Sequence, residues 1–341
     1  MGKTSGTTGT PLDVFRSFDS TLWEHAFHLQ HWRWAGLRKG DRQVVLRGDL
    51  VVPVAQRSPP YWFHDVAGRQ LFVSSRHLNG GTAAQIGAAI AQFGASHLRA
   101  YPSTAFELAR WTERLALPLR FRAVVTGSEP LYPSQREFIS EVFHANVFDT
   151  YGMAERNVFA MQCEQGRMHV NSDYSWVEIV DDAGRATDGE GLLVGTTFRN
   201  LVMPLVRYQL SDRARWSCES CPCGRSYPVI EALDGRSEDR LYDLAGNVVS
   251  PAVITFAFKG VHHIERAQVA QVAQDRWVVR LVPHAAFGDA DRKALQSNFG
   301  KLVSPRLNVE LAVVEELPCL PSGKFKWVVQ EWAGSDLATN T

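Results

Sequence analysis

The chain has 341 residues, and its 36 Lys and Arg balance 36 Asp and Glu, leaving a formal net charge of 0. With 45% hydrophobic and 21% charged residues it reads as a globular chain long enough for two domains, which excludes disordered, collagen-like and coiled-coil classes. No long-range field is present to attract nucleic acid or a membrane surface, so neither is an expected partner. No apolar run approaches the roughly 20 residues of a membrane span, and Met1 leads into Gly2, Lys3 and a Thr/Gly run instead of an apolar signal core. The expected location is the cytoplasm. In that reducing compartment five Cys, three of them between residues 218 and 223, favour metal ligation over disulfides.

Helical spacing of small and apolar residues predicts helices over residues 83–95 and 104–115. A β-branched strand over 121–126 follows, then a Pro-started helix over 133–143 and a strand over 145–150. This alternation predicts parallel α/β units, whose ligands sit beyond the carboxyl ends of the strands. The turns at 126–131 and 150–155 are therefore where chemistry is expected. From residue 172 the texture changes to shorter strands at 176–180, 191–197 and 204–208, separated by Asp/Gly turns. A polar linker at 234–239 leads to a small unit with strands over 264–272, 276–282 and 308–314 and a helix over 289–301.

Five segments could carry chemistry. Thr4-Ser5-Gly6-Thr7-Thr8-Gly9-Thr10-Pro11 is a glycine loop whose backbone NH groups and hydroxyls can cradle phosphate oxygens, or else a frayed polar terminus. Gly2-Lys3-Thr4 imitates the end of a Walker loop but lacks its upstream glycine and strand. Tyr151-Gly152-Met153-Ala154-Glu155 sets an aromatic face beside a carboxylate, suited to a planar base and to a magnesium ion on phosphates. Asp212 in Tyr208-Gln209-Leu210-Ser211-Asp212 follows a predicted strand and can accept from two ribose hydroxyls. Gly235-Arg236-Ser237-Glu238-Asp239 occupies the linker, and Leu320-Pro321-Ser322-Gly323-Lys324 is a loop with a lone cation. His25, His28 and His31, at helical spacing, are read as surface and packing residues.

In order and spacing these segments resemble the adenylate-forming superfamily of acyl-CoA synthetases, adenylation domains and luciferases. The resemblance runs from Thr4 to about Lys326. Thr126-Gly127-Ser128-Glu129-Pro130-Leu131 and Cys221-Pro222-Cys223-Gly224-Arg225 make it closest to the phenylacetate-CoA ligase-like and CapK-like proteins. The resemblance implies an α/β large domain at residues 1–235, N-terminally truncated, with a β-rich subdomain at about 172–233, and a small mobile α+β domain at 236–341. It implies that Thr4, Ser5, Gly6, Thr7, Thr8 and Gly9 hold the ATP phosphates and that Gly127, Ser128 and Glu129 form the adenine-side strand end. Tyr151 and Gly152 then supply the adenine-stacking turn, Glu155 the magnesium ligand, and Asp212 with Arg236 the ribose contacts. Glu238 is the implied hinge, Lys324 the catalytic lysine, and His77 a substrate contact.

The implied activity is an ATP-dependent, AMP-forming carboxylate ligase that makes an acyl adenylate and passes the acyl group to CoA. Alternatives are transfer to an amine, hydroxyl or carrier protein in surface-polysaccharide assembly, and a silent zinc-stabilised nucleotide-binding or scaffold protein. A carboxylate attacking phosphorus needs charge neutralisation, which magnesium on Glu155 and the Lys324 cation would supply. Cys163, His169, Cys221 and Cys223, with Cys218 as substitute, resemble the ligands of a structural zinc in metal-bearing members.

The chain departs from the pattern in three places. Thr10-Pro11 is not followed by Lys, and Gln209 and Ser211 stand where relatives often show Arg and Gly. Only three residues precede the phosphate loop, where relatives carry a long segment that completes the sheet. The expectation is therefore a truncated chain, or one whose missing portion comes from a separate polypeptide, with weak or no activity alone; a homo-oligomer is a further expected partner state.

Overall fold

The computed structural model describes residues 2–3, 13–234, 241–246, 248–249, 254, 257–258, 260–261, 263–317 and 325–332. The phosphate loop from Thr4 to Pro11, Arg236, Glu238, Cys319 and Lys324 lie outside the described residues. The chain divides into two compact units, one of residues 1–131 and 135–234 and one of residues 132–134 and 235–341.

The first unit opens with a two-residue antiparallel pair, β1 (Gly2–Lys3) and β2 (Asp13–Val14), and then helix α1 (Phe18–Trp34), whose N-terminus is capped by Ser17 Oγ accepting from Ser20 N. Six strands build an α/β sheet: β3 (Gln43–Leu46), β4 (Trp62–Asp65), β5 (Gln70–Val73), β6 (His97–Ala100), β7 (Ala123–Val125) and β8 (Asn146–Phe148), in the order β4-β5-β3-β6-β7-β8. All neighbours are parallel except the β4–β5 hairpin. Helices α2 (Ala83–Phe93), α3 (Pro102–Arg114) and α4 (Pro133–Phe143) supply Ile86, Ile90, Leu108, Ile139 and Phe143 to a core against Leu46, Leu98 and Val124. Each fully buried Ile or Leu there contributes roughly 1.5–3 kcal/mol. The opposite sheet face is covered by α1, where Trp32 packs with Ala123, Val125 and Phe148.

The predicted helices stand, with ends shifted for local reasons. The pattern over 83–95 stops at Phe93 because Gly94 takes φ +65° and closes the helix through its N–H to Ile90 O. The helix over 104–115 begins earlier, at Pro102, whose fixed φ suits the first turn.

A second, antiparallel sheet has the order β12-β13-β14-β15-β11-β10-β9. Its strands are β9 (Thr150–Gly152), β10 (Phe159–Gln162), β11 (Met168–Val170), β12 (Ser175–Val180), β13 (Gly191–Thr197), β14 (Tyr208–Trp216) and β15 (Val229–Asp234). The strand predicted at 204–208 instead runs from Tyr208 to Trp216, so Asp212 lies inside a strand and not after one.

The second unit pairs β16 (Leu241–Tyr242) with β17 (Val248–Val249). It also holds a mixed sheet of β18 (Ile264–Ala273), β19 (Arg276–Pro283), β20 (Asn308–Val313) and β21 (Val328–Gln330), ordered β20-β19-β18-β21. Helix α5 (Asp289–Leu302) sets Leu295 and Phe299 against Trp277, Val279 and Leu281. β21 had no signal in the sequence reading: Val328 to Gln330 is too short a run to be read without its partner β18.

Candidate active site

Strands β7 and β8 run side by side and end together, and the two turns that follow them meet. A Cβ on Gly127 would lie 2.9 Å from Thr150 O, so the close approach of the turns requires glycine there. Thr126 Oγ1 donates to the half-buried Asp149 Oδ1 at 2.6 Å, tying one turn to the other, and desolvation pushes the Asp149 carboxyl up. Ser128 adopts φ +71°, a conformation a side chain rarely takes, and this strain concentrates at the strand end. Its Oγ accepts from Arg47 Nη2 at 2.8 Å. Glu129 turns away to α3, where Oε2 accepts from Ser103 N at 3.1 Å in the first helical turn.

Asp212 reaches this region through a bulge. Register along β13 and β14 pairs Val194 with Gln209 and Leu192 with Arg213, so Leu210, Ser211 and Asp212 together oppose only Leu193. Such an insertion breaks strand alternation and re-aims a side chain. The Tyr151 hydroxyl donates to Asp212 Oδ2 at 2.7 Å. Next along the chain, Glu155 is half-buried and makes no hydrogen bond or ion pair with any described residue. The adjoining Asn157 is fully buried and donates to Tyr208 O at 3.3 Å. A Cβ on Gly195 would stand 2.2 Å from Asn157 O, so the turn carrying Glu155 lies directly on β13.

Behind the site, His31 is fully buried. Its Nε2–H donates to Gln162 O at 3.0 Å and its Nδ1 accepts from Thr150 Oγ1 at 3.0 Å. Burial pushes its pKa down to about 4, so the ring is neutral and acts as a spacer between α1 and β9. His31 is thus a packing residue, as read from the sequence, but on the buried side of α1. Helical spacing alone does not reveal which face of α1 is covered.

A separate cluster joins Cys163, just after β10, His169 on β11, and Cys221 and Cys223 in the loop before β15, with all four donor atoms within 4.8 Å of one another. Cys163 Sγ and Cys221 Sγ are 3.7 Å apart, close to the edge of about 3.8 Å that Zn–S bonds near 2.3 Å give in a tetrahedron. Cys223 Sγ lies 3.4 Å from His169 Nε2. His169 Nδ1–H donates to Tyr227 O at 3.1 Å, which turns Nε2 toward the thiols as a zinc-binding imidazole requires. Donor set and spacing fit zinc. Cys218 is exposed and stands outside the cluster.

Residues 4–190 match the family model for AMP-binding enzymes. The chain belongs to the AMP-binding enzyme family. Residues 241–331 of this AMP-binding enzyme match the CapK C-terminal domain. It is similar to Protein CapK of Staphylococcus aureus, 23% identical over 96% of this chain and 73% of that protein. It is also similar to phenylacetate-coenzyme A ligases: that of Pseudomonas putida at 28% identity over 72% of this chain and 56% of that protein, and that of Thermus thermophilus at 31% over 38% and 31%. The chain thus spans little more than half, or less, of the two phenylacetate ligases. The fold is that of 2-hydroxyisobutyryl-CoA ligase in its postadenylation state (TM-score 0.71, 20% identity, covering 99% of this chain and 75% of that one). Anthranilate CoA ligase AuaEII also shares it (TM-score 0.64, 16% identity, covering 94% of this chain and 64% of that one).

In this AMP-binding enzyme, the structure brings Gly127, Ser128, Tyr151, Gly152 and Asp212 to one region, with Glu155 on the adjoining turn. Glu129 next to them accepts from Ser103 N at the start of α3. His77 lies apart at the carboxyl end of β5, buried, with Nδ1 at 2.8 Å from Ser74 Oγ and its ring stacked on Tyr61. Sequence reasoning missed Arg47, Asp149, Asn157 and Gly195. Only Gly195 carried a signal, as a glycine inside a strand pattern. No helix among the described residues is long and apolar enough to cross a membrane.

Proposed function

We propose that the protein is an ATP-dependent, AMP-forming carboxylate ligase, which makes an acyl adenylate and passes the acyl group to CoA. The observation that carries this reading is the Tyr151–Asp212 hydrogen bond, because it unites the proposed adenine-side and ribose-side motifs on the turn that leads to the Glu155 carboxylate. Tyr151 presents an aromatic face to the adenine, and the Asp212 carboxylate is the acceptor type that ribose hydroxyls require. Glu155, which makes no hydrogen bond or ion pair with a described residue although the Arg16 cation acts on it from nearby, suits magnesium, which binds through one or two carboxylates plus substrate phosphates and would neutralise their charge. Lys324 is the proposed cation on the α-phosphate. Losing one such charge costs on the order of a hundredfold to a thousandfold in rate. Cys163, His169, Cys221 and Cys223 would hold a structural zinc pinning β10 and β11 to the loop before β15. Cytoplasmic location belongs to the same reading.

Pyrophosphate release measured across a panel of acids, with and without CoA, tests the proposal. Carboxylate-dependent release that disappears in Lys324→Ala supports it, and undiminished turnover in that variant refutes the assignment. A second reading, with an amine or hydroxyl acceptor in place of CoA, draws on the CapK C-terminal match at 241–331. Adenylation that CoA fails to discharge, while such a nucleophile does, would favour it.

A further inference from the structure

The carboxyl ends of β3, β6 and β7 lie side by side, because these strands are neighbours in the sheet and run parallel. In open α/β sheets that edge is where ligands bind. Arg47 is the first residue after β3. Its guanidinium passes over the ring of Tyr101, the first residue after β6, at 5.0 Å from the centroid. It then donates to Ser128 Oγ at 2.8 Å, in the turn after β7. That turn abuts Thr150 through Gly127, so Arg47 stands on the far side of the strand-end turn from Tyr151. Its position is at the edge of the candidate nucleotide motifs, in contact with Ser128.

A guanidinium carries five donors, and Arg47 commits one to the described residues. Among the described residues no carboxylate lies within ion-pair distance of it. A second arginine, Arg99 on β6, stacks on Trp32 at 3.7 Å and donates only to the neutral amide oxygens of Gln43 and Gln70, each at 3.4 Å. Among the described residues it too has no ion pair, Asp49 acting on it only from beyond that range. Burial, and after it the charge of Arg47, push Arg99 down to about 9, though its guanidinium faces Gln43 and Gln70 at the opposite ends of β3 and β5 from Arg47. A plain aryl or alkyl tail laid here would strip water from Arg47 and return nothing.

We infer that Arg47, poised beside Ser128 at the carboxyl edge of the sheet, recognises a second carboxylate on the acyl substrate, so that the acid is a dicarboxylic acid. This rests on the ligase reading and adds the substrate class to it. Arg47 is a specificity-determining residue here and takes no part in bond making.

The test uses acyl-sulfamoyladenosines, stable mimics of an acyl adenylate, in pairs that differ only in a terminal carboxylate or methyl: succinyl against butanoyl, glutaryl against pentanoyl, adipoyl against hexanoyl. Calorimetric titration of the full chain should show the carboxylate member of at least one pair binding about tenfold to a hundredfold tighter, the worth of a charge-assisted hydrogen bond. That ratio should fall toward one in Arg47→Gln and be partly kept in Arg47→Lys, with circular dichroism checking that both variants fold. Equal binding within every pair, or a ratio that survives Arg47→Gln, overturns the inference while leaving the ligase reading intact. A loss of ATP or CoA affinity in Arg47→Gln as large as the loss of the ratio also overturns it, since the guanidinium would then serve a phosphate. If neither AMP nor any sulfamoyladenosine binds, the ligase reading falls and this inference with it.

Discussion

Tyr151 and Asp212, 61 positions apart in the chain, are joined by a 2.7 Å hydrogen bond in which the phenol donates to the carboxylate. The contact holds the turn after β8 against the bulge of β14. Removing the hydroxyl in Tyr151→Phe leaves the aromatic face and frees Asp212 to rotate. A hydrogen bond to a charged group contributes about 1.5–3 kcal/mol. We expect AMP affinity to fall about tenfold in Tyr151→Phe and further in Asp212→Asn, read by calorimetry, with unfolding midpoints close to the parent. Unaltered affinity in both variants would remove Asp212 from the ribose site.

Two glycines let the site close. At Gly195 an added Cβ would collide with Asn157 O, a backbone atom that cannot swing away, so Gly195→Ala displaces the turn carrying Glu155. Overpacking of this kind costs about 1–3 kcal/mol, or roughly 2–10 °C in Tm for a unit of this size. Gly127→Ala meets Thr150 O at the looser distance of 2.9 Å, so its expected effect is on nucleotide affinity more than on Tm. Thermal melts with and without AMP separate the two outcomes.

His31 makes stability depend on pH. Its folded pKa of about 4 lies below the ordinary 6.5, so between those values the unfolded chain binds a proton that the folded chain refuses. Its contribution is complete above pH 6.5 and is lost as the pH falls toward 4, by about 3 kcal/mol in all. His97, also lowered by burial, acts with the same sign. Denaturant midpoints of His31→Gln should fall less steeply than the parent between pH 6.5 and 4.5, and an identical slope would show that His31 is not buried neutral.

The thiol cluster predicts one zinc per chain by elemental analysis after purification without added metal. Cys221→Ser should lose most of that metal and destabilise the first unit by about 4 kcal/mol or more, as loss of a structural metal does. Cys218→Ser should change neither, since Cys218 is exposed and outside the cluster. A protein without metal and with the same Tm as its Cys221→Ser variant would leave four buried or half-buried thiol and imidazole groups in its place.

Local patterns were legible without a fold. Helix α4 begins at Pro133 and ends at Phe143, the bounds its residues predict, because Pro fixes the first φ and apolar periodicity is written within a few turns. Family membership was legible as well, in the order of short motifs and their spacing, and so were the four members of the thiol cluster. Long-range placement was not. Asp212 looked like a residue after a strand and proved to sit in a bulge inside one, since a bulge exists only relative to the partner β13. His31 contacts Thr150 across 119 positions and Arg47 contacts Ser128 across 81. Each depends on strand order, and order in a sheet is decided by which faces find cover when the whole chain collapses. Residue types and short-range spacing therefore specified the chemistry available, while packing of distant segments selected the side chains that meet and the charges left without a partner.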